Sequence, residues 1–390
     1  MLNLNSMVSQ GRRYFMQFVK KITATLLTAT ALSFIATHSA NACTDFRLIA
    51  KDGTVMVTRT MEFGTPMNSN LMSTPEDTVF QNTAPDGKPG LSWKAKYGYV
   101  YLDGMGIATA IDGMNEVGLS AEGLLFPTEA GYQTVTPGSE KSAVSYRQLN
   151  DWILGNFKTV QEVKAALPAI QVYAEKIPGF GNMIFPLHIM VNDASGKSLV
   201  IEYVDGKLHT YDSVGVMTNS PTYDWHVTNL RNYLNLSPVV PEPVTAGNIV
   251  FAATGQGTGM VGLPGDASPP SRFVKIALLL NAATPVENAS AELILAQHII
   301  NNVDIPLGTV RSVTNGVTEY DSTQWTIFKD LTHKKIYFRT YNNTALRSVS
   351  LDKIDLSSHA KILKMPIDNN TNYTQDVTNT FLNSAQMRNN

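Results

Sequence analysis

The chain has 390 residues with 30 basic and 32 acidic side chains, a balance of −2, and only 16% of its residues are charged. Near-neutral charge excludes a global attraction to nucleic acid or to an anionic membrane surface. The length allows one large domain or two ordinary ones, either with a substantial core.

Residues 1 to 42 hold Arg12, Arg13, Lys20 and Lys21, no acid, an apolar run from Ile22 to Ala36, and then Ala40-Asn41-Ala42. Basic region, apolar core and small-x-small site, in that order, predict a secretory signal peptide cleaved after Ala42. The apolar run spans 15 residues, against the roughly 20 a membrane-crossing helix needs. No stable membrane insertion is therefore expected after cleavage, and a periplasmic or extracellular location is. A lipid-anchored surface protein ending its signal at Cys43 is the rival, which the bulky Asn41 fits poorly. Cleavage leaves 348 residues with 26 basic and 32 acidic side chains, a balance of −6.

A secreted chain normally uses cysteines in pairs, yet this one has a single cysteine, Cys43, and cannot close an internal disulfide. Cleavage before Cys43 would put a thiol and an α-amine on one residue. Their ordinary pKa values, about 8.5 and 7.7 to 8.0, bring both within reach of their reactive forms near neutrality. The amine can then act as base for the thiol, which attacks a carbonyl and forms an acyl-enzyme.

Along the chain, Thr44 to Ala50 and Thr54 to Phe63 flank Lys51-Asp52-Gly53 and predict a hairpin with Gly53 left-handed. That loop pairs Asp45 with Arg59 and places Arg59 on the Cys43 face. Gly104 to Ala110 and Val117 to Phe126, around Asp112 to Glu116, predict a second hairpin. Leu187 to Asn192, Ser198 to Val204 and Lys207 to Tyr211 predict a three-stranded meander. Helical periodicity covers Ser145 to Phe157, Thr159 to Leu167 with a Thr159–Glu162 capping box, Ser271 to Ala282 and Ser290 to Asn301. Trp325 to Lys329 and Lys335 to Tyr341 predict a late hairpin. Antiparallel strand groups separated by helices indicate an α+β domain over 43–367. The Asn- and Thr-rich segment 368–390 reads as a polar, mobile tail.

Cys43-Thr44, Thr58-Arg59-Thr60-Met61-Glu62-Phe63, Asp112-Gly113-Met114-Asn115-Glu116-Val117-Gly118-Leu119, the run from Val216 to Trp225 and the run from Gly262 to Phe273 occur in that order. Together with Ser322-Thr323-Gln324-Trp325-Thr326 they resemble the choloylglycine hydrolase family, whose members include bile salt hydrolases and penicillin V acylases. The resemblance spans nearly all of the chain after Ala42. It implies a four-layer αββα N-terminal nucleophile hydrolase fold, hydrolysis of a linear amide C–N bond by Cys43, no metal or organic cofactor, a small-molecule amide substrate, and a homotetramer.

It also implies that Arg59, Glu62, Asn219 and Arg272 surround Cys43. Arg59 would favour the thiolate, and Asn219 would supply an oxyanion donor. Glu62 stands where many members carry Asp, and its implied task is to orient the N-terminal amine. Three residues apart, Arg59 and Glu62 cannot share a face of a regular strand, so a bulge or a strand end is expected there. Leu125 stands where relatives hold Asn or Tyr. Its backbone N–H can serve an oxyanion hole, while its side chain offers substrate only apolar contact. Gly255-Gln256-Gly257-Thr258-Gly259 lacks the setting of a nucleotide loop, and the seven histidines show no His-x-x-x-His zinc pattern. Conjugated bile acids, penicillin V and N-acyl homoserine lactones are the candidate substrates. A non-catalytic periplasmic binding protein of the same fold is the alternative.

Overall fold

The computed structural model of the chain describes residues 42–314, 316–368 and 374–382. The expected signal segment before Ala42 lies outside the described residues, as does most of the expected tail. The described part of that tail carries a short helix, Thr378–Leu382. No described helix is long and apolar enough to cross a membrane.

The first expected hairpin forms in the expected register. Strands Cys43–Ile49 and Val55–Phe63 pair with Asp45 opposite Arg59, and Ala50 N donates to Thr54 O at 3.0 Å across the loop. Gly53 sits at φ +87°, a conformation that L side chains rarely adopt, which is why the loop ends on glycine. This hairpin lies at the centre of a sheet that runs Val216–Met217, Cys43–Ile49, Val55–Phe63, Val317–Asp330, Lys335–Thr340, Asn343–Ser350, with Val310–Thr314 pairing onto the long strand.

The second sheet runs Lys207–Asp212, Ser198–Val204, Leu187–Asp193, Leu119–Leu125, Ile107–Asn115, Tyr99–Gly104, Asn70–Thr74, Lys364–Pro366. The expected meander is its first three strands. The expected Asp112–Glu116 turn is corrected here: Asp112 to Asn115 continue the strand, and the turn falls on residues 116 to 118. Asn115 draws it tight, its Oδ1 accepting from Val117 N at 3.2 Å and Leu119 N at 2.9 Å. Gly104 belongs to the preceding strand, because Met105 and Gly106, at φ +58° and +74°, make a turn of their own.

Helices Pro269–Ala282 and Ala289–Ile300 cover the first sheet, and Leu149–Asn156 and Val160–Ala166 cover the second. Two antiparallel sheets stacked between helical layers give the expected αββα order. Thr159 caps its helix, accepting from Glu162 N at 3.2 Å, while the Glu162 carboxylate reaches back to Lys158 N at 2.9 Å. The capping box therefore closes one residue earlier than its usual form. Phe46, Met56, Phe273 and Ile276 pack where the first sheet meets its helices, and Tyr99, Trp152, Ile153 and Val191 fill the corresponding layer of the second.

Candidate active site

Cys43 is fully buried at the start of its strand. Its backbone N donates to Asn219 Oδ1 at 2.8 Å. Its sulfur lies 3.8 Å from Arg59 Nη2 and 4.0 Å from the Met61 sulfur. Hairpin register accounts for this neighbourhood: Met61 is the cross-strand partner of Cys43, and Arg59 stands two residues away on the same face.

Arg59 crosses from the first sheet to the second. Nη2 donates to Gly123 O at 2.6 Å, Nη1 reaches Ile111 O and Asp112 Oδ2 at 3.3 Å each, and the guanidinium lies 5.3 Å from the centre of the Trp325 ring. Burial works against its charge, but Cys43 and Asp112 outweigh burial and hold its pKa above the ordinary guanidinium value.

Asn219 follows the edge strand Val216–Met217. Its Nδ2 donates to Leu125 O at 2.7 Å, while its Oδ1 accepts from both Cys43 N and Arg272 Nη2, the latter at 2.6 Å. Two donors on one oxygen fix which end of the amide is which. His226 holds the Asn219 backbone, its Nε2 lying 2.8 Å from the carbonyl, and burial lowers its pKa to about 4, so it stands there as neutral imidazole.

Arg272 lies in the second turn of the helix that starts at Pro269. Its Nη1 donates to Cys43 O and, at 2.6 Å, to Thr44 Oγ1, and its Nε donates to Ala267 O at 2.9 Å. It thus grips the backbone of Cys43 rather than the sulfur. Burial lowers its pKa, opposed by Glu62 and Cys43.

Glu62 departs from the expectation. No bulge interrupts the strand between Arg59 and Glu62; the irregularity is in the partner strand, between Thr323 and Trp325. Glu62 therefore shares a face with Thr60, away from the Cys43 sulfur. Its carboxylate accepts from Thr60 Oγ1 at 3.0 Å and Thr323 Oγ1 at 2.6 Å. Burial raises it to about 7 against the pull of Arg272 and those hydroxyls. Its backbone N–H does reach the site, donating to Ala42 O at 3.0 Å.

Beside the thiol opens a cavity of about 760 Å³, counting the space at its mouth that is open to solvent, with Cys43, Arg59, Met61, Phe63, Leu125 and Leu187 in its wall. Leu125 thus contributes apolar wall together with the carbonyl that holds Asn219. Residue-by-residue reading missed Arg147 and Asn150 on the same wall, the first in a 3-10 turn just before the helix Leu149–Asn156 and the second in its first turn, because periodicity gives no sign of which end of a helix meets a cavity.

Residues 43–374 match the family of linear amide C–N hydrolases named choloylglycine hydrolases. Bile salt hydrolase/transferase of Clostridium perfringens is 36% identical to this chain over 328 residues, covering 81% of this chain and 94% of that one. Penicillin V acylase of Pectobacterium atrosepticum is 28% identical over 319 residues, 77% of each. Among solved structures, a variant of conjugated bile acid hydrolase from Clostridium perfringens aligns with a TM-score of 0.74 at 32% identity, over 85% of this chain and 100% of that one. Penicillin V acylase from Agrobacterium tumefaciens aligns with a TM-score of 0.68 at 26% identity, over 83% and 91%. With motif order, sheet architecture and these likenesses in agreement, this chain belongs to the choloylglycine hydrolase family and is a hydrolase of linear amides.

Proposed function

We propose that the protein is a secreted cysteine amidohydrolase, periplasmic or extracellular, that becomes active when Cys43 is made its N-terminal residue. The observation that carries this reading is the convergence on one residue of separate holds: Asn219 on the nitrogen, Arg272 on the carbonyl and Arg59 on the sulfur, beside an apolar cavity.

In the proposed reaction the free α-amine takes the thiol proton as the sulfur attacks the substrate carbonyl carbon. The tetrahedral oxyanion receives the second N–H of Asn219 and the backbone N–H of Leu125. Proton transfer to the substrate nitrogen lets the C–N bond break, leaving an acyl-enzyme on Cys43. Water then attacks the thioester, its oxygen bonding the acyl carbon as the C–S bond breaks, so that the carboxylic acid is released and the free thiol is restored. Arg59 favours the thiolate throughout, and Arg272 keeps the Cys43 backbone in place. Glu62, on the other face, balances Arg272 rather than touching the thiol.

An apolar cavity with few polar fixtures suits an acyl group carried on a small polar amine. The substrate classes that fit are conjugated bile acids, penicillin V and N-acyl homoserine lactones. A homotetramer belongs to the same reading, supported by a hairpin of Val244–Ala246 and Ile249–Phe251 on which Val244, Ile249, Val250 and Phe251 are all more than half exposed. The deciding experiment joins N-terminal mass spectrometry of the secreted protein to hydrolysis assays on a panel of these amides. A start at Cys43 with turnover of one class is expected. A start elsewhere, or a lipid-blocked Cys43, would overturn the proposal.

A further inference from the structure

The space between the sheets holds charge that the proposed chemistry leaves unused. Lys329, Asp112 and Glu122 are fully buried. Lys329 Nζ donates to Asp112 Oδ1 and, at 2.6 Å, to Glu122 Oε1. Asn192 Nδ2 donates to the other Glu122 oxygen at 3.2 Å, and Ser198 Oγ donates to Asn192 Oδ1 at 2.5 Å. Lys329 stands two residues beyond Ile327, the cross-strand partner of Arg59, so both cations enter the interlayer from one face.

The distances divide the labour between them. Arg59 makes its shortest bond to a neutral acceptor, Gly123 O at 2.6 Å, and meets the Asp112 carboxylate only at 3.3 Å. Lys329 takes up the Asp112 charge, which leaves the guanidinium largely uncommitted on the side of the thiol. Of the other groups nearby, Asp45 faces Arg59 across the strand pair with no hydrogen bond on either oxygen. Burial, followed by Glu122, pushes its carboxyl well above the usual range. Arg272 and Glu62 act from the opposite face of the first sheet. Without the lysine, two buried carboxylates would compete for the single remaining cation, and Arg59 would be drawn from the sulfur.

We propose that Lys329 is a positioning residue for the hydrolysis: it neutralises the Asp112–Glu122 pair and so leaves the Arg59 charge directed at the Cys43 sulfur. The role rests on the reading of Cys43 as the nucleophile. Because Cys43 is the only cysteine of the chain, the pH dependence of alkylation by iodoacetamide reads this one thiol. In Lys329→Met the alkylation midpoint is expected to rise by about one pH unit, and kcat/KM at pH 7 to fall about tenfold with KM nearly unchanged, since one unit corresponds to a factor of ten in thiolate. Adding Glu122→Gln to Lys329→Met should bring the midpoint back toward the parent, and Glu122→Gln alone should lower it. A folded Lys329→Met protein with an unmoved midpoint, or a double variant no closer to the parent, would overturn the proposal. Should Lys329→Met fail to fold, Glu122→Gln decides alone, and a midpoint that does not fall ends the idea. Cys43→Ala separates the two readings: retained hydrolysis there ends the nucleophile assignment, whereas an inactive Cys43→Ala protein, together with unmoved midpoints in the Lys329→Met and Glu122→Gln proteins, ends only the role of Lys329.

Discussion

Asn219 is the residue on which the nitrogen of Cys43, the guanidinium of Arg272 and the carbonyl of Leu125 all meet. Asn219→Ala removes the proposed oxyanion donor and leaves Arg272 Nη2 without the oxygen it bonds. Turnover is expected to slow by roughly a hundredfold to a thousandfold, about 3 to 4 kcal/mol in the barrier, with a smaller change in KM. A variant that turns over nearly as fast as the parent would remove Asn219 from the proposed mechanism. Glu62 makes a separate prediction about stability. Its carboxyl ionises near 7 when folded against an ordinary 4.5, so the native state binds the extra proton between those values. The stabilisation is whole below the lower value and is lost as pH rises through the upper one, about 3 kcal/mol for a fully buried group. In denaturant melts Glu62→Gln should therefore gain on the parent between pH 5 and pH 8, and a constant difference would show the assignment to be wrong.

At the scale of elements, the legible parts were those whose signals are local. The Lys51-Asp52-Gly53 loop specified a register, and the register carried Arg59 to the thiol. The meander and four of the helices follow from periodicity, whereas the seven-residue helix Tyr223–Asn229 was not read. Strands Asn70–Thr74 and Tyr99–Gly104 were not read, because they are short or buried on both faces and so lack the alternation that marks a half-exposed strand. The side of the strand that Glu62 faces could not be read either, since the bulge that might have turned it lies in a partner strand some 260 residues away in sequence. The Asp112 to Leu119 motif was visible as a motif, but its meaning is geometric: Asp112 joins Arg59 and Lys329 while Gly118, at φ +85°, turns the chain. A Cβ on Gly118 would lie 2.5 Å from Leu331 O. Gly118→Ala should cost about 1 to 3 kcal/mol of stability and lower the melting temperature, and an unaffected melt would show that the hairpin accommodates a side chain there.

For the whole molecule, the proposed mechanism turns on removal of everything before Cys43. With Ala42 attached, the Cys43 nitrogen is a peptide amide with no basic lone pair, and the Ala42 carbonyl accepts from Glu62 N beside the thiol. A form with an uncleavable residue before Cys43 should fold and yet turn over roughly a hundredfold or more slower than the processed form, as expected when general-base assistance is lost; equal rates would leave a cysteine hydrolase with a base from elsewhere in the chain. Assembly is tested by light scattering: charged substitutions at Val250 and Phe251 should reduce a tetramer to smaller species, and an unchanged mass would move the subunit contact to another face.

The single cysteine has one more consequence, for how this enzyme ages. Oxidation of Cys43 to the sulfenic acid finds no second thiol in the chain to resolve it, so repair must come from a soluble thiol outside. The neighbouring sulfur is the Met61 thioether at 4.0 Å, which cannot form a disulfide. With Cys43 as the proposed nucleophile, damage and function coincide at one atom, and the fraction of molecules still alkylatable at Cys43 should track the fraction still active.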